Sequence, residues 1–88
     1  MALLDLLGRR WALRVIWELR EETLTFRELQ ARCGQISSSV LNQRLAELRA
    51  AGILEPQPDG YALTDEGARL LGLYPALNSW AERWAKRS

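Results

Sequence analysis

Ser38, Ser39, Asn42 and Gln43 fall on one side of a segment whose other side is Leu41, Leu45 and Leu48. An amide side chain donates and accepts at once, so Asn or Gln can pair bidentately with adenine, and a serine hydroxyl adapts to several base edges. Short, nearly uncharged side chains make an unusual water-facing surface and a serviceable base-reading one. An ordinary solvated helix face would show the same pattern. Ser37 stands just before this group as a good N-cap. Thr25 and Arg27 open the preceding helical segment, where a hydroxyl and a guanidinium suit phosphate contact. Arg44 can reach a phosphate or a guanine, or it can pair within the fold.

The element that carries the group is a helix over about Ser38 to Ala51, with leucines at i, i+4 and i+7 and Gly52 at its end. The helix before it is capped at Thr25, turns Phe26, Leu29 and Cys33 inward, and stops at Gly34. A first helix is expected from about Arg9 to Glu22, with Leu3 to Leu7 as a lead-in broken at Gly8. It is apolar on two sides, Leu13, Ile16 and Trp17 against Trp11, Val15 and Leu19, so it needs two partners. Thr23-Leu24-Thr25 reads as a short extended stretch. Ile53-Leu54-Glu55 and Tyr61-Ala62-Leu63, around Pro56-Gln57-Pro58-Asp59-Gly60, read as a small hairpin. Thr64 caps the last helix, whose stripe of Leu70, Leu73, Tyr74, Leu77, Trp80, Ala81 and Trp84 is interrupted at Pro75.

Composition narrows the chemistry. The 88 residues make one domain at most and contain no histidine and one cysteine. The commonest general base and metal ligand are therefore missing, and an internal disulfide is impossible. No phosphate loop or nucleophile elbow is present, so neither an enzyme nor a cofactor is expected. No apolar run reaches the length of a membrane span, the first residues lack the features of a signal peptide, and a cytoplasmic protein is expected. The net charge is only +1, but its distribution is uneven. Residues 52–66 carry Glu55, Asp59, Asp65 and Glu66 and no base, while the helical segments hold the basic residues. Eleven of the twelve bases are arginine, which suits bidentate phosphate or guanine contacts, although a codon bias would do the same.

Helix, short strand, helix, tight turn, helix, hairpin, helix is the order of a winged helix-turn-helix, a mainly α fold with one small hairpin. The residues also resemble a family. Leu7-Gly8-Arg9-Arg10-Trp11 is similar to the "L-x-G-K-W" opening of the HxlR-type regulators, relatives of the MarR group. Phe26-Arg27-Glu28-Leu29, Ile36-Ser37, Leu41, Arg44-Leu45 and Leu48 resemble its "F-x-E-L … I-S-x-x-x-L-x-x-R-L-x-x-L". Ala51-Gly52-Ile53-Leu54-Glu55, Tyr61-Ala62-Leu63-Thr64-Asp65-Glu66-Gly67 and Leu77 to Trp80 resemble its "x-G-L-[VI]-x", "Y-x-L-T-x-x-G" and "L-x-x-W". The resemblance implies prokaryotic transcription control by a symmetric dimer, with terminal helices forming the dimer and one recognition helix per subunit in the major groove. Two departures stand out. The wing is short and acidic where the family's is longer and basic, and the near-N-terminal cysteine of many members is absent.

The expectation is a single domain: residues 1–22 and 64–88 dimerise, 25–51 form the helix-turn-helix and 53–63 a short wing. Its partners are double-stranded DNA carrying a pseudo-palindromic operator and a second copy of itself. Thr25, Arg27, Ser37, Ser38, Ser39, Asn42, Gln43 and Arg44 are the expected DNA contacts. Trp11, Val15, Leu70, Tyr74, Leu77, Trp80 and Trp84 are the expected dimer contacts, with a small-molecule effector pocket among the tryptophans as the alternative. Cys33 is expected to be a core residue, with a redox role as the alternative. A winged helix that binds protein rather than DNA is the rival reading.

Overall fold

The computed structural model describes residues 2–87. In chain order it contains α1 (Ala2–Leu7), α2 (Ala12–Glu18), α3 (Phe26–Arg32), α4 (Ser38–Ala50), β1 (Leu54–Gln57), β2 (Gly60–Leu63), α5 (Asp65–Leu71) and α6 (Tyr74–Arg87). Val15, Ile16 and Leu19 from α2 and its end meet Leu29 and Cys33 from α3 and Leu41, Leu45 and Leu48 from α4. Leu24, Ile36, Ile53 and Leu54 close this core from the connecting segments. Each fully buried leucine removes enough apolar surface from water to contribute about 1.5–3 kcal/mol.

The hairpin has a two-residue turn, Pro58-Asp59, and pairs Leu54 with Leu63, Glu55 with Ala62, Pro56 with Tyr61 and Gln57 with Gly60. Its strands reach further into the turn than the composition of 56–60 suggested. Tyr61 spends its backbone groups on Leu24, donating to and accepting from it at 2.8 and 3.1 Å, so a third extended segment joins the sheet. Tyr61 therefore has no backbone bond to make with Pro56, and the missing proline N–H leaves nothing unpaired. Gly60 lies at φ +143°, and a Cβ there would run into the Leu24 carbonyl.

The first helix starts later than expected. Trp11 adopts a left-handed backbone, φ 77°, so α2 begins at Ala12 and not at Arg9, and it ends at Glu18, short of Glu22. At the other end, the expected interruption near Pro75 is a break at Gly72–Leu73 between α5 and α6. Pro75 sits in the first turn of α6, where no intrahelical N–H is needed. The arrangement is a winged helix-turn-helix: α3 and α4 with the turn between them, and a hairpin behind.

Candidate nucleic-acid interface

The helix-turn-helix is held at both of its starts. Thr25 Oγ1 accepts from the Glu28 backbone N–H at 3.1 Å, and Glu28 Oε1 accepts from the Thr25 N–H at 2.9 Å. This reciprocal capping box satisfies two donors that a helix start otherwise leaves open. The Thr25 backbone N–H, and after it the Thr25 hydroxyl, hold the Glu28 carboxyl below its usual range. Between the helices Gly34 and Gln35 both take left-handed φ, at 70° and 61°, which compresses the turn. Gln30 then reaches across it, its Nε2 donating to the Ile36 carbonyl at 2.9 Å and to Ser38 Oγ at 3.1 Å. Ser37 caps α4 by accepting from the Val40 N–H at 3.3 Å.

Along α4 the three leucines face inward and Ser39, Asn42, Gln43 and Ala46 are exposed. None of the Ser39, Asn42 or Gln43 side chains has a hydrogen-bond partner among the described residues, so their polar groups are available to a ligand. Thr25 and Arg27 are exposed at the start of α3, and Arg27 makes no ion pair among the described residues. Arg44 departs from this group. Its side chain is only 11% exposed, its Nη1 pairs with Glu47 at 2.5 Å and its Nε donates to the Arg10 carbonyl at 3.0 Å. It is a strut between α4 and the loop before α2, with Nε and Nη1 taken up within the fold. Gln30 was not among the expected site residues; a glutamine at a helix edge carries no signal of the cross-turn bonds it makes.

The hairpin shows an acidic surface, with Glu55 and Asp59 exposed and Gln57 bonded to Glu55. Lacking cations, it is a poor companion for phosphate.

A separate apolar face runs along α2 and α6. Leu13 and Trp17 are 54% and 37% exposed, and Leu73, Tyr74, Leu77, Trp80 and Trp84 are exposed in line with them. Trp17 packs on Tyr74 at 5.1 Å between ring centroids, and Trp80 stacks on Trp84 at 6.3 Å. The expected partner-facing side of the first helix is thereby corrected. Val15 is wholly buried in the core and Trp11 half-buried against it, so Leu13 and Trp17 hold the open side. Leu70 is half-buried beside an apolar groove of about 390 Å³ that Leu13, Trp17, Tyr74 and Leu77 also line. Cys33 is 1% exposed, and loss of hydration pushes its thiol pKa up. No cluster of three or more metal-ligating side chains occurs among the described residues, and no described helix is long and apolar enough to cross a membrane.

Residues 6–88 match the family model described as HxlR-like helix-turn-helix. The chain is 30% identical over 87 residues to the uncharacterized HTH-type transcriptional regulator YvaP of Bacillus subtilis, covering 91% of this chain and 81% of that protein. The quinone-bound structure of YodB from B. subtilis superimposes with a TM-score of 0.84 at 33% identity, over 90% of each chain. The reduced form of that transcriptional regulator gives 0.86 at 29% identity, over 97% of this chain and 90% of the other.

Proposed function

The chain belongs to the HxlR-like helix-turn-helix family, and from that premise we propose that it is a transcriptional regulator that binds operator DNA as a homodimer, with α4 in the major groove. The observation that carries this reading is the outward side of α4. Ser39, Asn42 and Gln43 are exposed, and unbonded among the described residues, on a helix whose start is fixed by the Ser37 cap and the Gln30 bridge. Amide and hydroxyl groups held in place on a rigid helix are what base-edge recognition requires. Thr25 and Arg27, and the Ser37 and Ser38 hydroxyls, lie at the helix starts, where phosphates flank such a helix.

The second copy is supported by the apolar face. From Leu73 to Lys86 every side chain is exposed, although five of these residues, Leu73, Tyr74, Leu77, Trp80 and Trp84, are large and hydrophobic. A 14-residue helix is marginal in water without a packing partner. A two-fold dimer buries the stripe on its own copy and offers two recognition helices to half-sites about one helical turn apart. Gel shifts on DNA from upstream of the protein's own gene, across a salt series, test the reading. Specific binding that falls steeply with salt is the expected result. A folded dimer that binds no duplex at low salt overturns it and favours the protein-binding alternative.

An effector is a second reading, favoured by the apolar groove between α2 and the α5–α6 corner and by the quinone bound in the YodB structure. The groove would take a small apolar or aromatic molecule, and Trp17 at its wall would report the binding by fluorescence. Redox sensing through Cys33 is not favoured, because a buried thiol kept protonated is a poor nucleophile.

A further inference from the structure

Viewed down its axis at 100° per residue, α4 has two flanks between its core side and its outward side. Ser38 lies on one flank, where Gln30 ties it to α3. Arg44 and Glu47 lie on the other, and the loop joining α1 to α2 is fastened against them. Arg44 Nε donates to the Arg10 carbonyl at 3.0 Å, while Glu47 receives Arg44 on one oxygen at 2.5 Å and Arg9 on the other at 3.5 Å. The outward side of α4 is thus bracketed by α3 with Arg27 on one hand and by this loop on the other.

The loop is fixed rather than loose. The Arg9 N–H donates to the Leu6 carbonyl, the Ala12 N–H donates to the Arg9 carbonyl, and Trp11 turns left-handed with its ring half-buried on the core. Arg10 lies with its guanidinium 5.4 Å from the centre of that ring. Its side chain is exposed and makes no ion pair among the described residues, whereas Arg9 and Arg44 share the single carboxylate of Glu47. One uncompensated cation is therefore held on an aromatic platform beside the recognition helix.

A helix seated in a major groove has a phosphate strand along each flank, the groove being about 12 Å wide. The α3 side supplies Arg27 to one strand. The hairpin, with Glu55 and Asp59, supplies no cation to the other. We propose that the Gly8–Trp11 loop is a second backbone-gripping element, in which Arg10 binds a duplex phosphate on the flank of α4 opposite α3. Arg44 and Glu47 act as positioning residues that hold the loop at the right height along the helix. The inference rests on the DNA-binding reading above.

Arg10→Gln removes the charge while keeping a stem over Trp11, and Arg10→Lys keeps the charge. Fluorescence anisotropy with labelled duplexes, one from the upstream region and one of scrambled sequence, gives log K against log salt for each protein. Arg10→Gln is expected to weaken binding to both duplexes and to make the slope shallower by about 0.9 per subunit, with Arg10→Lys retaining the slope. A wild-type slope that Arg10→Gln leaves unchanged, in a variant with an unaltered melting curve, overturns the proposal while DNA binding stands. Failure of the wild type to bind either duplex overturns both. Should Arg10→Gln lower the melting temperature, the Arg10→Lys slope decides: loss of slope with charge retained identifies a packing role and overturns the phosphate contact.

Discussion

Asn42 and Gln43 present amides with no hydrogen-bond partner among the described residues, so their proposed contribution to base reading is separable from folding. Gln43→Ala is expected to cost about 1–3 kcal/mol of discrimination at the base pair it reads and to leave the melting temperature unchanged. Titration of operator variants against wild type and mutant checks this. Thr25 answers differently. Its hydroxyl is half of the α3 capping box, so Thr25→Ala should lower stability by about 1 kcal/mol in denaturant melts, whatever its role at phosphate. The other half, Glu28, has a native pKa depressed by its bonds to Thr25. A depressed carboxyl stabilises the native state above its unfolded value, about 4.3 for a glutamate, and that contribution is lost as pH falls through the lower native value. Melting temperatures taken down that range should therefore fall more for wild type than for Glu28→Gln, whose amide keeps a capping oxygen but does not titrate. The outward face of α4 and the cap at Thr25 were readable because each depends on residues three or four apart. The role of Arg44 was readable only in part. Glu47 stands at i+3, but the Arg10 carbonyl is 34 residues away, and no local pattern announces it.

The elements divide along the same line. α3, the turn and α4 follow from periodicity and caps, and their observed bounds lie close to those expected. α2 shows what periodicity leaves open. Two apolar stripes ran along it, and the assignment of Val15 to the partner side failed because only the packing of α3 and α4 decides which stripe is inside. Its start failed too, since a left-handed tryptophan is conformationally costly and nothing in its neighbours signals it. The junction of wing and α5 depends on close backbone approach. Thr64 Oγ1 lies 2.5 Å from the Gly52 carbonyl and 3.1 Å from that of Ile53, to which its proton can be donated, and it accepts from the Gly67 N–H at 3.0 Å. A Cβ on Gly67 would strike the Ile53 carbonyl. Gly67→Ala should therefore push α5 off the strand and cost about 1–3 kcal/mol, despite the better helix propensity of alanine. Thermal melts of the variant beside an exposed alanine substitution such as Glu66→Ala separate the two effects.

At the scale of the molecule, the long axis of 45 Å against 27 and 26 Å agrees with a helix standing off the body. Trp84→Asp places a charge in its stripe. The expected outcome is a shift towards monomer by light scattering, a loss of helical ellipticity, and DNA binding weakened on every sequence alike. Retention of the wild-type mass at micromolar concentration would show that the stripe is not the contact. The exposed stripe was legible as a heptad-like pattern, whereas the proposed coverage by a second chain is a matter of association and lies beyond any single-chain pattern. The bare flank of α6 also has a consequence for regulation. In the proposed dimer, where α6 beyond its contact with Trp17 would pack only on its twin, folding is tied to protein concentration. Occupancy of an operator by such a chain then rises with roughly the square of its abundance while monomer predominates. Dilution by cell growth alone would release the promoter more sharply than simple one-to-one binding allows.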